Sequence, residues 1–233
     1  MRYFDDDERP VSAAGLRAFA RKIAKRIEEE EGRTLFPVES AGRSIAKSFW
    51  GKAWCRNIES YQDYESRLPR GRSYLKNGAV IDLGIEPGKV NALVVGGELY
   101  HISIAIDPVR PERWEELRKR CAGRIDSLVD LVAGKLSEPV IELLCSPGTG
   151  LFPAPEEIHM SCDCPDWADL CKHLAAVLYG VGVRLDADPE LFFVLRGVDQ
   201  AGLFGGDLAS ALPEEGAAEF GDDLAETFGI ELE

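Results

Sequence analysis

Residues 12 to 29 place Leu16, Phe19, Ala20, Ile23 and Ile27 at helical spacing, with Arg17, Arg21, Lys22, Lys25 and Arg26 on the remaining faces. The pattern predicts an amphipathic helix that Ser12 caps and Gly32 stops. Glu28 to Glu31 put acidic charge at its C-terminal end, where it opposes the helix dipole. After Pro37 and Gly42 a second helical pattern runs from Ala46 to Tyr61. Phe49, Trp50, Ala53, Trp54, Ile58 and Tyr61 share one of its faces and read as core, because aromatic rings bury large areas. Residues 67 to 78, RLPRGRSYLKNG, are broken by Pro69, Gly71 and Gly78 and read as a basic loop.

From residue 79 the period changes from helical to alternating. AVIDLGI, VNALVV and LYHISIAI, separated by turn residues at 86–89 and 96–98, predict a three-stranded antiparallel meander. Ile81, Leu83 and Ile85 share one face, as do Tyr100, Ile102, Ile104 and Ile106, which leaves His101 and Ser103 on the opposite side. A helix or broken helix follows from Pro111 to about Leu136, and Pro139 opens another before the breaker SPGTG. Residues 157–162 read as a strand, Pro165 as a turn, and Asp169 as the cap of a helix ending at Gly180 and Gly182. A last helix starts at Pro189. The fold class expected is α+β: a three-stranded antiparallel meander with flanking helices plus, around the clustered Cys162, Cys164, Cys171 and His173, a small strand-turn-helix zinc finger. Its organisation is an N-terminal helix and linker (1–40), an α+β domain (41–150), a finger with its following helix (151–198) and an acidic tail (199–233).

At 233 residues and 45% hydrophobic content the chain can bury a substantial core. MRYFDDDERP has no apolar run behind it, and no stretch approaches the roughly 20 apolar residues of a membrane span, so a soluble cytoplasmic protein is expected. The net charge of −14 is unevenly spread. Residues 197–233 hold ten acidic residues and no Lys or Arg, which leaves 27 basic against 31 acidic residues in the rest. Such a tail reads either as a solubilising extension or as a segment that folds on a partner.

Cys162, Cys164, Cys171 and His173 fall within twelve residues, three of the six cysteines and one of the three histidines. Neighbouring C-x-C residues rarely bridge each other. Thiolates and an imidazole in two tight pairs suit a tetrahedral zinc, and four protein ligands leave no open position for a catalytic water. Strand alternation aims the competing ligand His159 away from Cys162. In a regular helix Cys171 and His173 would point about 200° apart, so one ion takes both only at a distorted helix start or off its end. The remaining Cys55, Cys121 and Cys145 are scattered, as reduced core thiols are. A zinc deaminase would need H-x-E and P-C-x-x-C, and neither occurs. A non-enzyme is expected, with no small-molecule substrate. For phosphate contacts the candidates are Arg67, Arg70, Arg72 and Lys76 in the basic loop and Lys172 beside the finger. A basic loop answering acidic surface elsewhere on the protein is the competing reading.

C-D-C-P, five further residues, then C-K-H resembles the SWIM-type zinc finger, with FWGKAW, RGRSYLKNG and VIDLGIEPG upstream similar to the bacterial and archaeal SWIM proteins that accompany Swi/Snf-type DNA-dependent ATPases. The resemblance spans roughly residues 45 to 200. It implies zinc ligation by Cys162, Cys164, Cys171 and His173 in a strand-turn-helix unit, and a role in DNA binding, protein interaction or both. The expected partner is a Swi/Snf-type ATPase or another protein, with nucleic acid as the alternative.

Overall fold

The three segments with alternating hydrophobicity form strands β1 (Val80–Glu86), β2 (Lys89–Val95) and β3 (Leu99–Ile106), joined by the two tight turns. In β3 the buried positions are Tyr100, Ile102, Ile104 and Ile106, while His101 faces outward. A fourth strand, β4 (Ile158–Cys162), is the strand of the finger. It pairs antiparallel with β3 in the register Ile102 to Cys162, Ile104 to Met160 and Ile106 to Ile158. The sheet therefore has the order β1-β2-β3-β4, one strand more than the meander alone. This computed structural model describes residues 12–40, 42, 44–61, 67–125, 127–146, 148–166 and 168–203. Beyond residue 203 the acidic tail lies outside the described residues, as do residues 1–11.

Helix α1 (Ala13–Glu31) follows its predicted span. Ser12 Oγ accepts from Gly15 N, and Gly32 ends it in the left-handed region. Helix α2 (Phe49–Glu59) starts three residues later than expected, because Ser48 is its cap and Asp186 accepts the N–H groups of Lys47 and Ser48 at 2.7 and 2.8 Å. The segment read as a basic loop is instead helix α3 (Leu68–Lys76). Pro69 is tolerated there because it occupies the first turn, where no intrahelical N–H bond is lost. Helices α4 (Pro111–Cys121) and α5 (Leu128–Ala133) are the two parts of the broken helix, and α6 (Glu138–Cys145) follows Ser137.

Helix α7 (Lys172–Ala187) runs through Gly180 and Gly182 instead of ending there. All positions from His173 to Gly182 are buried, so over these ten residues the helix has no solvent face. It touches α2, α3, α8 (Leu191–Leu195) and the four strands. The two glycines serve that packing: a Cβ on Gly180 would stand 2.8 Å from Leu83 Cδ1, and one on Gly182 2.7 Å from Cys55 Sγ. Trp54 Nε1 donates to Leu178 O at 2.7 Å and fixes α2 against α7. Gly71 does the same for α3, since a Cβ there would collide with Ala175, 2.7 Å from its carbonyl carbon. Trp50, Phe152, Phe192 and Phe193 pack as one aromatic group beside α2.

One feature escapes hydrophobic patterning altogether. Arg196 is 0% exposed, donates to Glu157 Oε2 at 3.2 Å and to the carbonyl of Asp107, and shares Glu157 with Arg113. Burial lowers the Arg196 pKa, opposed by Glu157. An Arg196→Met variant is expected to lose about 3 kcal/mol in urea unfolding, because it breaks a buried ion pair and leaves Glu157 with only Arg113 and the Ala154 N–H as partners. Arg33→Met, which removes an exposed partner of Asp82, is expected to lose less than about 1 kcal/mol.

Alanine substitution of a helical glycine normally stabilises by about 0.5 to 1 kcal/mol, but Gly71→Ala is expected to destabilise by about 1 to 3 kcal/mol through overpacking. Gly84→Ala, where a Cβ meets nothing within 4 Å, is the control. Equal unfolding midpoints for the two variants would contradict the packing of α3 on α7.

Candidate metal centre

The candidate centre lies where β4 ends and α7 begins. Cys162 is the last residue of β4, and Cys164 follows two residues later in the turn. Asp163 between them clamps this turn to β3, accepting from His101 N at 2.9 Å and facing His101 Nδ1 at 3.0 Å. Further along, Asp166 accepts from Ala168 N at 3.3 Å and pairs with Arg67 of the neighbouring helix at 3.4 Å. The chain then enters α7, and the cap is Cys171, not Asp169.

That cap resolves the 200° problem. Cys171 has extended backbone angles, φ −85° and ψ 169°, so it stands outside the helix, while His173 lies inside its first turn. Cys171 Sγ accepts from Leu174 N at 3.4 Å, replacing the oxygen a Ser or Asp cap would supply. His173 Nδ1 is then 3.8 Å from Cys171 Sγ and 3.9 Å from Cys162 Sγ. Ligand atoms of all four residues lie within 4.8 Å of one another.

A tetrahedral site with metal–sulfur bonds of about 2.3 Å and metal–nitrogen bonds of about 2.0 Å separates its ligand atoms by roughly 3.5 to 3.8 Å. The sulfur–nitrogen separations of 3.8 and 3.9 Å meet that condition within a few tenths of an ångström. Cys162, Cys164, Cys171 and His173 Nδ1 therefore fit a four-coordinate ion that takes sulfur and nitrogen. Such an ion would act as a covalent-strength cross-link between the end of β4 and the start of α7.

The contact with Cys162 lowers the Cys171 pKa to about 3 against the effect of burial, with His173 and Leu174 N adding to the lowering. The Cys162 pKa is raised by that same contact and by burial, and Cys164 is raised chiefly by burial. The start of α7 thus favours the Cys171 thiolate, through the Leu174 N–H as well as through its neighbours.

His173 is 2% exposed and is held by rings. Tyr100 stacks on it with centroids 4.1 Å apart, and Tyr74 of α3 meets it edge-on at 5.5 Å. Its Nε2 has no hydrogen-bond partner among the described residues and faces Gly96, where a Cβ would stand 3.0 Å away. Histidine ligands usually donate their second N–H to an acceptor. Here aromatic packing sets the ring angle instead, a feature that motif spacing does not reveal. Of the other histidines, His101 is bound to Asp163, and His159 lies 3.1 Å from Asp107, with its side chain 60% exposed.

The five basic candidates occupy different settings. Arg67 pairs with Asp166; Arg72 pairs with Glu59, bonds Tyr179 at 3.1 Å and lies over its ring. Lys172 Nζ stands over the Tyr74 ring at 5.5 Å. The carbonyl of Lys76 accepts from Arg17, and Arg70 is exposed. All but Lys172 lie on α3 or its cap.

No family model matches this chain. It is similar to the uncharacterized protein Rv2102 of Mycobacterium tuberculosis, at 33% identity over 182 residues, which cover 77% of this chain and 65% of the mycobacterial protein. No solved structure matches it. Among the described residues no helix is long and apolar enough to cross a membrane.

Cys171→Ser separates ligation from capping, because serine is itself a strong N-cap. The wild-type chain is expected to carry one metal ion by elemental analysis and to melt at least about 5 °C lower after chelation. Cys171→Ser is expected to lose the ion, melt near the chelated wild type and respond no further to chelator. A variant that keeps both ion and melting temperature would remove Cys171 from the ligand set.

Proposed function

We propose that this protein is a non-enzymatic zinc-binding adaptor, a SWIM-type finger protein that docks on a Swi/Snf-type DNA-dependent ATPase or related nucleic-acid machinery. The observation that carries the reading is the closed Cys3His arrangement joining β4 to α7, with Cys171 1% and His173 2% exposed. Four protein ligands, two buried and two half-buried, leave no open coordination position and favour an ordering ion over a reactive one. Three thiolates and one imidazole favour zinc over magnesium or calcium, which take oxygen. Tyr74, Asp166 and Arg67 tie α3 to the centre, so the ion would order a surface that includes α3 and the C-D-C turn. The resemblance of the C-x-C and C-x-H pairs to the SWIM finger supplies the partner class.

Direct DNA or RNA binding through Arg67, Arg70, Arg72, Lys76 and Lys172 is the second reading, favoured by their common placement on α3 and the adjoining end of α7. It is the weaker one, because Arg67 and Arg72 already answer carboxylates of this chain.

Affinity capture of the tagged wild-type chain from its native cells is expected to bring down a Swi/Snf-type ATPase, with Cys171→Ser losing it. Absence of any such ATPase would contradict the adaptor reading. In parallel, titration of duplex DNA at falling salt is expected to show no binding. A slope of log K near −0.9 per neutralised phosphate, reduced by Arg70→Glu, would instead favour the nucleic-acid reading.

A further inference from the structure

Away from the metal centre, α1 and the extended segment leading to Ser40 enclose a groove of about 590 Å³, with Ala20, Val38 and Leu75 among the residues of its apolar floor. Arg17, Arg21, Lys25 and Lys76 line it. Two acids also line it, but Glu28 is engaged with Leu35 N at 3.0 Å, which leaves Glu39 as the exposed one. Arg17 reaches Lys76 O at 3.1 Å and Asn77 Oδ1, and Lys25 pairs with Glu29 at 3.5 Å on the exposed side. The groove thus has a cationic rim and an apolar floor on a chain whose net charge is −14.

A ligand complementary to it needs carboxylates flanking an apolar stripe. Residues 207–233 have that composition, with nine acidic residues and no Lys or Arg. Within them Phe220, Leu224 and Phe228 recur every fourth residue, the spacing that puts side chains on one face of a helix, with Glu219 just before them and Asp222, Asp223 and Glu226 between. Reach is no obstacle. The seventeen residues from Leu203 to Phe220 can span about 55 Å when extended, more than the width of a domain of this size.

We propose that the groove between α1 and residues 37–40 is the docking site of the chain's own acidic segment, residues 207–233. Phe220, Leu224 and Phe228 lie on the apolar floor with Asp223 beside them, and the segment's remaining carboxylates add longer-range attraction to Arg17, Arg21, Lys25 and Lys76. Covalent attachment keeps the segment at a high effective concentration beside the groove, so it competes well against free polyanions. Docked, it covers the basic face of α1, and an acidic amphipathic segment of another protein could enter only by displacing it.

Zero-length carbodiimide cross-linking of the full-length chain tests this, with peptides identified by mass spectrometry in an equal mixture of unlabelled and ¹⁵N-labelled protein. Lys25 and Lys76 are expected to link to carboxylates within 219–226, in peptides of a single isotope composition. Lys89, Lys119 and Lys135 are expected to link to that segment at background level. At 1 M salt, where the screening length falls to about 3 Å, and in Arg21→Glu, the yield is expected to drop about tenfold with unchanged circular dichroism. Leu224→Ser is expected to reduce it without changing any charge.

Links spread evenly over all exposed lysines would overturn the proposal. Mixed-isotope links would assign the groove to a second copy instead. A single-stranded oligonucleotide that binds the full chain and is lost in Arg21→Glu would assign it to nucleic acid. Either result would also overturn the proposal.

Discussion

The start of α7 has to satisfy two demands at once. It opens a helix whose next ten residues are buried, and it presents two side chains of a four-residue sulfur and nitrogen cluster. Inside a regular helix, residues two apart cannot converge. Stepping Cys171 out of the helix as its cap, while His173 stays in, removes the conflict, and the thiol meanwhile accepts the otherwise unpaired Leu174 N–H. The site and the core are therefore built by the same few residues. Moving the helix start by one residue would misdirect the ligands, and misdirecting the ligands would disturb the entry into the most buried helix.

The rest of the structure is arranged around that helix. Glycines on α2, α3 and α7 let their backbones approach, and the two tryptophans of α2 donate to backbone carbonyls of Leu131 and Leu178, so α2 is fixed by direction as well as by area. β4 joins the finger to the meander through backbone bonds, and Asp163 adds a clamp to His101. In this arrangement the finger is an edge of the sheet and the end of the central helix. That makes an ion at Cys162, Cys164, Cys171 and His173 a brace for the main core and for the α3 surface that leans on it.

Much of this was legible in the chain. The strands of the meander, the cap and stop of α1, and the four clustered ligands came from short-range patterns: period two, Ser12 with Gly32, and C-x-C with C-x-H. What sequence reading missed has separate physical causes. Gly71, Gly180 and Gly182 looked like breakers because local propensity counts glycine against a helix, whereas tertiary packing here requires residues without a Cβ. Pro69 strengthened the same error, although a first-turn proline is compatible with a helix. Asp169 looked like the cap because oxygen caps are common and sulfur caps are not. The Arg196, Glu157 and Arg113 network and the Tyr100 and Tyr74 clamp on His173 join residues dozens of positions apart, and no periodicity encodes such pairs.

The central claim is that these three cysteines and one histidine hold a single closed metal site through sulfur and Nδ1. X-ray absorption at the metal edge of the purified full-length protein tests it most directly. The account predicts one zinc per chain with three sulfur neighbours at about 2.3 Å and one nitrogen at about 2.0 Å. A shell containing a water oxygen, fewer than three sulfurs, or a spectrum unchanged in Cys171→Ser would contradict it.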